Sequence, residues 1–176
     1  MRASVLLLAA VAACGPRPGT VQARWQGATG PGTLDVVGKG TWCPDTRTVL
    51  VDATEEDEAV GVFWRYPATG MVAGTLDLGL PTDSTPEQAP GSAALRYVHL
   101  DEVRGFRSLS GTMTLTAADS THVTGTLTAR MQRVGEADTT GLEMEFHAIP
   151  LVRDVTICVA PPASPTSRAD STTDSL

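Results

Sequence analysis

The chain has 176 residues and a formal net charge of −7, with 13 Lys and Arg against 20 Asp and Glu. That length suits one domain, and an acidic balance argues against a nucleic-acid partner, which needs clustered Lys and Arg. Lys39 is the only lysine and asparagine does not occur, so any mechanism that needs Asn, or a lysine elsewhere, is excluded.

The first element in chain order is an export signal. Arg2 precedes an apolar run from Ala3 to Ala13, the charged and hydrophobic regions of a signal peptide. The run is too short to cross a bilayer, which takes roughly 20 apolar residues. Val11-Ala12-Ala13-Cys14, an aliphatic residue, two small residues and a cysteine, resembles the lipobox of bacterial lipoproteins. The resemblance implies removal of residues 1–13, acylation of Cys14 and export to a membrane held by acyl chains, each buried CH₂ contributing ~0.8 kcal/mol. Gly15 follows the cysteine where aspartate would mark inner-membrane retention, so the resemblance points to the outer membrane. The alternative is an ordinary secretory signal with a chance cysteine. Loss of Arg2 with the signal leaves 12 basic residues against 20 acidic, a net charge of −8. The anchor is then the lipid rather than charge.

Residues 14–22 read as a lipidated tether and residues 23–160 as a single β domain. Period-2 alternation of apolar and polar residues predicts strands throughout that domain. Leu34, Val36 and Trp42 share parity, with Gly38 and Gly40 between them predicting a bulge or bend. Val49 and Val51 mark the next strand. Val60, Val62, Trp64 and Tyr66 face one way and Phe63 the other, as in a central strand. Val72, Leu76, Leu78 and Leu80 follow. A proline-containing loop from Pro81 to Ser92 then leads into the strand AALRYVHL. Met113 and Leu115, then Val123, Leu127 and Met131, alternate with threonines around the polar turn Ala118–Thr121, which predicts a hairpin. Leu142, Met144, Phe146 and Ala148 share a face, and Val155, Ile157 and Val159 form a last strand. The tail, residues 161–176, has ten Pro, Ser or Thr and too little apolar surface to offset the entropy of ordering it; it reads as disordered. The expected fold is all-β: one antiparallel β-sandwich or closed β-barrel of about nine or ten short strands.

Enzyme signatures such as G-x-S-x-G, H-E-x-x-H and the Walker A loop do not occur, and no cofactor is implied. The chemistry-bearing patterns are few. Glu143, Glu145 and His147 share one strand face opposite the core residues. They are either a solvated face or, with a ligand from a neighbouring strand, a metal-binding one. Glu55 to Glu58, EEDE, is either a charged turn or an attractant for Ca²⁺. Thr112, Thr114 and Thr116 lie across from Thr124, Thr126 and Thr128 in the hairpin. That is either plain strand propensity or an array for an ordered polar surface such as a glycan. Gly40-Thr41-Trp42 resembles the Gly-x-Trp opening of lipocalins, which would imply a calycin-type barrel holding a small apolar ligand; the other reading is a core tryptophan.

With Cys14 acylated, Cys43 and Cys158 remain, in a compartment that permits disulfides. Both lie opposite the main apolar parity of their strands, so a bond between them would tie the start of the domain to its end. The combined reading is a lipid-anchored cell-envelope β domain with a non-enzymatic binding or structural role toward an unknown ligand or envelope protein. The alternatives are the calycin-like barrel and an envelope hydrolase without a recognisable motif. Cys14→Ser is expected to release the protein from membranes. Membrane fractionation and intact mass check this, and an unacylated parent that fractionates like the variant would contradict it.

Overall fold

The computed structural model describes residues 17–27, 30–80, 91–154 and 158. Cys14, the signal, the loop at 81–90, most of the last predicted strand and the tail lie outside the described residues. The elements are ten strands: β1 Thr20–Gly27, β2 Gly30–Val37, β3 Lys39–Cys43, β4 Thr48–Glu55, β5 Glu58–Arg65, β6 Gly74–Gly79, β7 Ser92–His99, β8 Glu102–Ala118, β9 His122–Arg133 and β10 Thr139–Val152. The described residues contain no helix, and the fold is all-β as the alternation predicts.

All ten strands belong to one sheet, and its pairings close into a ring: β3-β4-β5-β7-β8-β9-β10 and back to β3. Every pairing is antiparallel except the closing one, where Leu151 and Val152 of β10 run parallel to Gly40 and Thr41 of β3. The two longest strands, β8 and β10, each change partner along one edge. β8 pairs with β7 as far as Arg107 and with β6 from Ser110, across a bulge between Ser108 and Ser110. β10 pairs with β1 as far as His147 and with β3 from Leu151, across a bulge between Phe146 and Ile149. Bulged strands that switch partners make the corners between packed layers. The result is a flattened barrel. A six-strand layer, β2-β1-β10-β9-β8-β6, faces the layer β3-β4-β5-β7. Aromatic rings bridge the two: Trp25 stacks on Tyr97 at 5.6 Å between centroids and Trp64 on Phe146 at 6.4 Å.

Among the described residues the interior is filled except for one chamber of about 130 Å³ beside Trp64. Trp64, Phe146, Leu95, Met113, Met131, Leu142 and Ile149 are each less than 2 % exposed. Met113, Leu115, Val123, Leu127 and Met131 are buried as the alternation predicts, as are Val60, Val62, Trp64 and Tyr66.

Three details differ from the sequence expectation. β1 begins at Thr20 with Val21 fully buried, so the domain starts inside the segment read as tether. Val72 is 56 % exposed and precedes β6 rather than joining it. Ala148 is not the next core residue of β10: it sits in the bulge at φ 45, and the shifted parity buries Ile149 and Leu151 instead. β3 keeps the facing that the alternation predicts: Trp42 lies across from Val49, and Val49 across from Trp64, so Trp42 faces inward and packs against the core while only partly buried, its ring 5.8 Å from that of Tyr66. Thr41 and Cys43 lie on the opposite face of the strand, as the parity of Cys43 predicts, and are buried there as well.

The glycines of this stretch serve close approach. A Cβ on Gly40 would come within 2.5 Å of Leu151 Cδ2 and 2.8 Å of the Pro150 carbonyl, so only glycine lets β3 meet β10. Cys43 and Cys158 stand at disulfide distance beside this seam, with a Cα–Cα separation of 5.3 Å, inside the range that a disulfide spans.

Leu127 is buried between β8 and β10, whereas Thr114 is exposed. Leu127→Ala is expected to cost ~2–5 kcal/mol and Thr114→Ala less than about 0.5 kcal/mol. Urea denaturation measures both, and equal small losses would contradict the facing.

Candidate functional site

The outward side chains of the six-strand layer line up in rows across the strands. One row is Thr33, Arg24, Glu143, Thr128, Thr112 and Asp77; the next is Asp35, Gln22, Glu145, Thr126, Thr114 and Thr75. Two patterns that the sequence presents separately, the paired threonines and the Glu143/Glu145/His147 file, thus belong to one continuous polar face. Alternation dictates this arrangement. Each of β1, β8, β9 and β10 buries every second side chain, so the residues between them emerge together on the other side. Threonine suits the position because its β-branched side chain favours strand geometry, and cross-strand pairs such as Thr114 with Thr126 support the pairing.

The face is partly self-bonded. Gln22 Nε2 donates to Asp35 Oδ2 at 3.1 Å, and the Thr75 and Thr114 hydroxyls are 3.4 Å apart. Toward the β1–β2 turn it is different. Between Gln26 and Arg130 the next row has Gly141, where a Cβ would meet nothing within 4 Å. Side chains around this gap enclose an open cleft of about 750 Å³, bordered by Arg24, Gln26, Thr33, Thr128, Arg130 and Glu143, with Ser110 beyond. Ion pairs among the described residues join Glu102 to Arg104 and Arg133, Arg133 to Glu136, and Arg153 to Asp45. None engages Arg24, Arg130 or Glu143, so two guanidinium groups and a carboxylate face the cleft uncommitted.

The other sequence candidates do not assemble. Glu143, Glu145 and His147 stay in file along β10, facing Arg24 and Thr128, Gln22 and Thr126, and Thr20 respectively. Among the described residues no three His, Cys, Asp or Glu side chains are placed to hold a metal ion. Glu55 to Glu58 forms the tight β4–β5 connection, with Glu56 at φ 49. There the carboxyl of Glu58 is pushed up, by desolvation first and then by the charges of Glu55 and Glu56. Gly40-Thr41-Trp42 lies in the third strand, not at the opening of the domain.

Sequence reading missed Arg24, Gln26, Thr33 and Arg130 as site residues. The alternation of Val21, Ala23 and Trp25 against Gln22, Arg24 and Gln26 was the available signal for β1. That β1 lies against β10 is a pairing between residues more than a hundred positions apart. No family model, curated protein or solved structure matches this chain.

The turn that joins the two threonine strands is held by Asp119. Its Oδ1 accepts from the Thr121 hydroxyl at 2.5 Å, the Thr121 N–H at 2.6 Å and the His122 N–H at 2.9 Å. These bonds, the Thr121 hydroxyl first, hold the carboxyl down at about 2. A carboxyl depressed on folding stabilises above its unfolded value, and that contribution is lost as the pH falls through the folded one. The stability difference between the parent and Asp119→Ala is therefore expected to hold from neutral pH to about pH 5, to shrink below that and to be lost as the pH falls through about 2. Thermal melts of both proteins across that range check it.

Proposed function

We propose that this protein is a lipid-anchored, non-enzymatic binding module of the bacterial cell envelope, and that the cleft beside Gly141 takes a glycan. The observation that carries this reading is the cleft itself: Arg24, Arg130 and Glu143, none of them in an ion pair, stand among the Gln26 amide and the hydroxyls of Thr33, Thr128 and Ser110. Sugar hydroxyls both donate and accept, and this border offers both. Arginine supplies up to five N–H donors, a carboxylate only acceptors, and threonine, serine and glutamine either. A cleft of this size, whose lining also includes Trp25, Pro31 and Leu142, suits one or two sugar rings of a longer chain. The interior chamber of about 130 Å³ beside Trp64 is far smaller than this cleft, which favours contact at the surface over a glycan held in a barrel lumen.

The anchor supports the same reading. Only five residues separate Cys14 from β1, a span of at most roughly 18 Å. Lipid on Cys14 would hold the Thr20 end of β1 close to the membrane. The cleft lies at the opposite end of β1, around Gln26, roughly 20 Å further out at ~3.3 Å per residue. A ligand would meet it on the side away from the bilayer. The resemblance of the signal to those of bacterial lipoproteins, with Gly15 rather than aspartate after the cysteine, supports an envelope glycan as that ligand.

The experiment is binding to an array of neutral and acidic oligosaccharides. Gly141→Trp fills the cleft where a side chain meets open space, so the fold is expected to survive. Both Gly141→Trp and Arg24→Ala are expected to weaken binding at least about tenfold, equivalent to ~1.4 kcal/mol. A parent protein that binds no glycan, or variants that bind as well as it does, would overturn the reading.

A further inference from the structure

A second site lies between the layers, away from the polar face and independent of the glycan reading. Trp64, in β5, is 1 % exposed, and its indole N–H has no hydrogen-bond partner. Buried polar groups almost always have one, and an exception calls for an explanation. Trp64 also lines a cavity of about 130 Å³ beneath the segment from Pro67 to Ala73, which connects β5 to β6. The rest of the wall is mainly apolar, with Met71, Val72, Leu76 and Leu115 prominent, and includes the hydroxyl-bearing Tyr66 and Thr75. Leu115 belongs to the core, and Met71 and Leu76 pack against it.

The volume and the lining together limit what can sit there. An apolar cavity of ~150 Å³ is large enough to take benzene, whereas water needs two to four polar partners to settle. The wall is mainly apolar, and a buried donor without a partner in it matches a molecule with an apolar body and an acceptor. The donor also supplies discrimination, because a ligand without an acceptor leaves the indole N–H unpaired.

We propose that this cavity binds a small, neutral, largely apolar molecule of about one aromatic ring, and that the Trp64 indole N–H donates to its one acceptor oxygen. The site takes aromatic ketones or aldehydes in preference to hydrocarbons of the same shape.

The protein has three tryptophans, so indole ¹⁵N labelling gives three N–H resonances, and the one missing in Trp64→Phe identifies Trp64. Acetophenone and ethylbenzene, nearly equal in shape, are the probes. Acetophenone is expected to move the Trp64 resonance downfield saturably and to bind about fivefold more tightly than ethylbenzene, the effect of one hydrogen bond. In Trp64→Phe the preference between the two is expected to disappear. Leu76→Trp, which fills the chamber, is expected to abolish binding of both. If that variant does not fold, the comparison of the two probes in the parent and in Trp64→Phe still decides. No response of the Trp64 resonance to either probe up to millimolar concentration would overturn the proposal. So would an equal preference in the parent and in Trp64→Phe, or a cavity occupied by ordered water that neither probe displaces.

Discussion

β10 runs beside β1 in the six-strand layer and then beside β3 at the seam that closes the ring, and the bulge between Phe146 and Ile149 is what lets one strand serve both. The extra residue reverses the parity of the rest of the strand. Leu142, Met144 and Phe146 point into the core before the bulge, and Ile149 and Leu151 point into it after. Without that reversal the end of β10 would turn its apolar side chains to solvent and could not meet β3. The backbone N–H of Ala148, freed from the ladder, is taken by the Thr124 hydroxyl at 2.9 Å. A threonine of the hairpin thus stabilises the corner as well as its own strand.

The seam is short, two residue pairs in a parallel arrangement, and three features reinforce it. Gly40 allows the backbones to approach closely. Cys43 and Cys158 stand at disulfide distance beside it. The Leu151 N–H is bonded at 2.7 Å to the Thr121 carbonyl in the turn after β8, which joins the seam to the Asp119 turn. A cross-link there would close a separation of 115 residues, and in the chain-entropy model loops of that size gain up to ~4.7 kcal/mol. Among the described strands, ring closure leaves only β2 and β6 as sheet edges, so they offer little unpaired backbone to other chains.

The polar face and the filled core have one origin. A strand that buries every second residue must display the others, and six adjacent strands doing so produce a broad surface whose chemistry is set by what alternates with the core. Here it is threonine over β8 and β9, acidic on β10, and Gln and Arg on β1. The cleft arises where that array is interrupted by Gly141. The Trp64 chamber lies elsewhere: the Pro67–Ala73 segment, which connects β5 to β6 without strand pairing, forms part of its wall.

The all-β class, the β8–β9 hairpin with its polar turn and the inward residues of β4, β5, β8 and β9 could be read from the sequence alone, because period-2 burial is a local property. The composition of the outward face could be read in the same way, strand by strand. The burial of Thr41 and Cys43 on the other face of β3 could not, because nothing local shows what covers a strand's second face. Nor could the fate of Ala148, since a bulge is set by the strand that pairs with it. The cleft was beyond local reading altogether. Arg24, Arg130 and Glu143 come from β1, β9 and β10, and only the pairing of β1 with a strand at the far end of the chain brings them to one place. The same holds for Cys43 and Cys158: the sequence offers two thiols and a compartment, while ring closure decides that they meet.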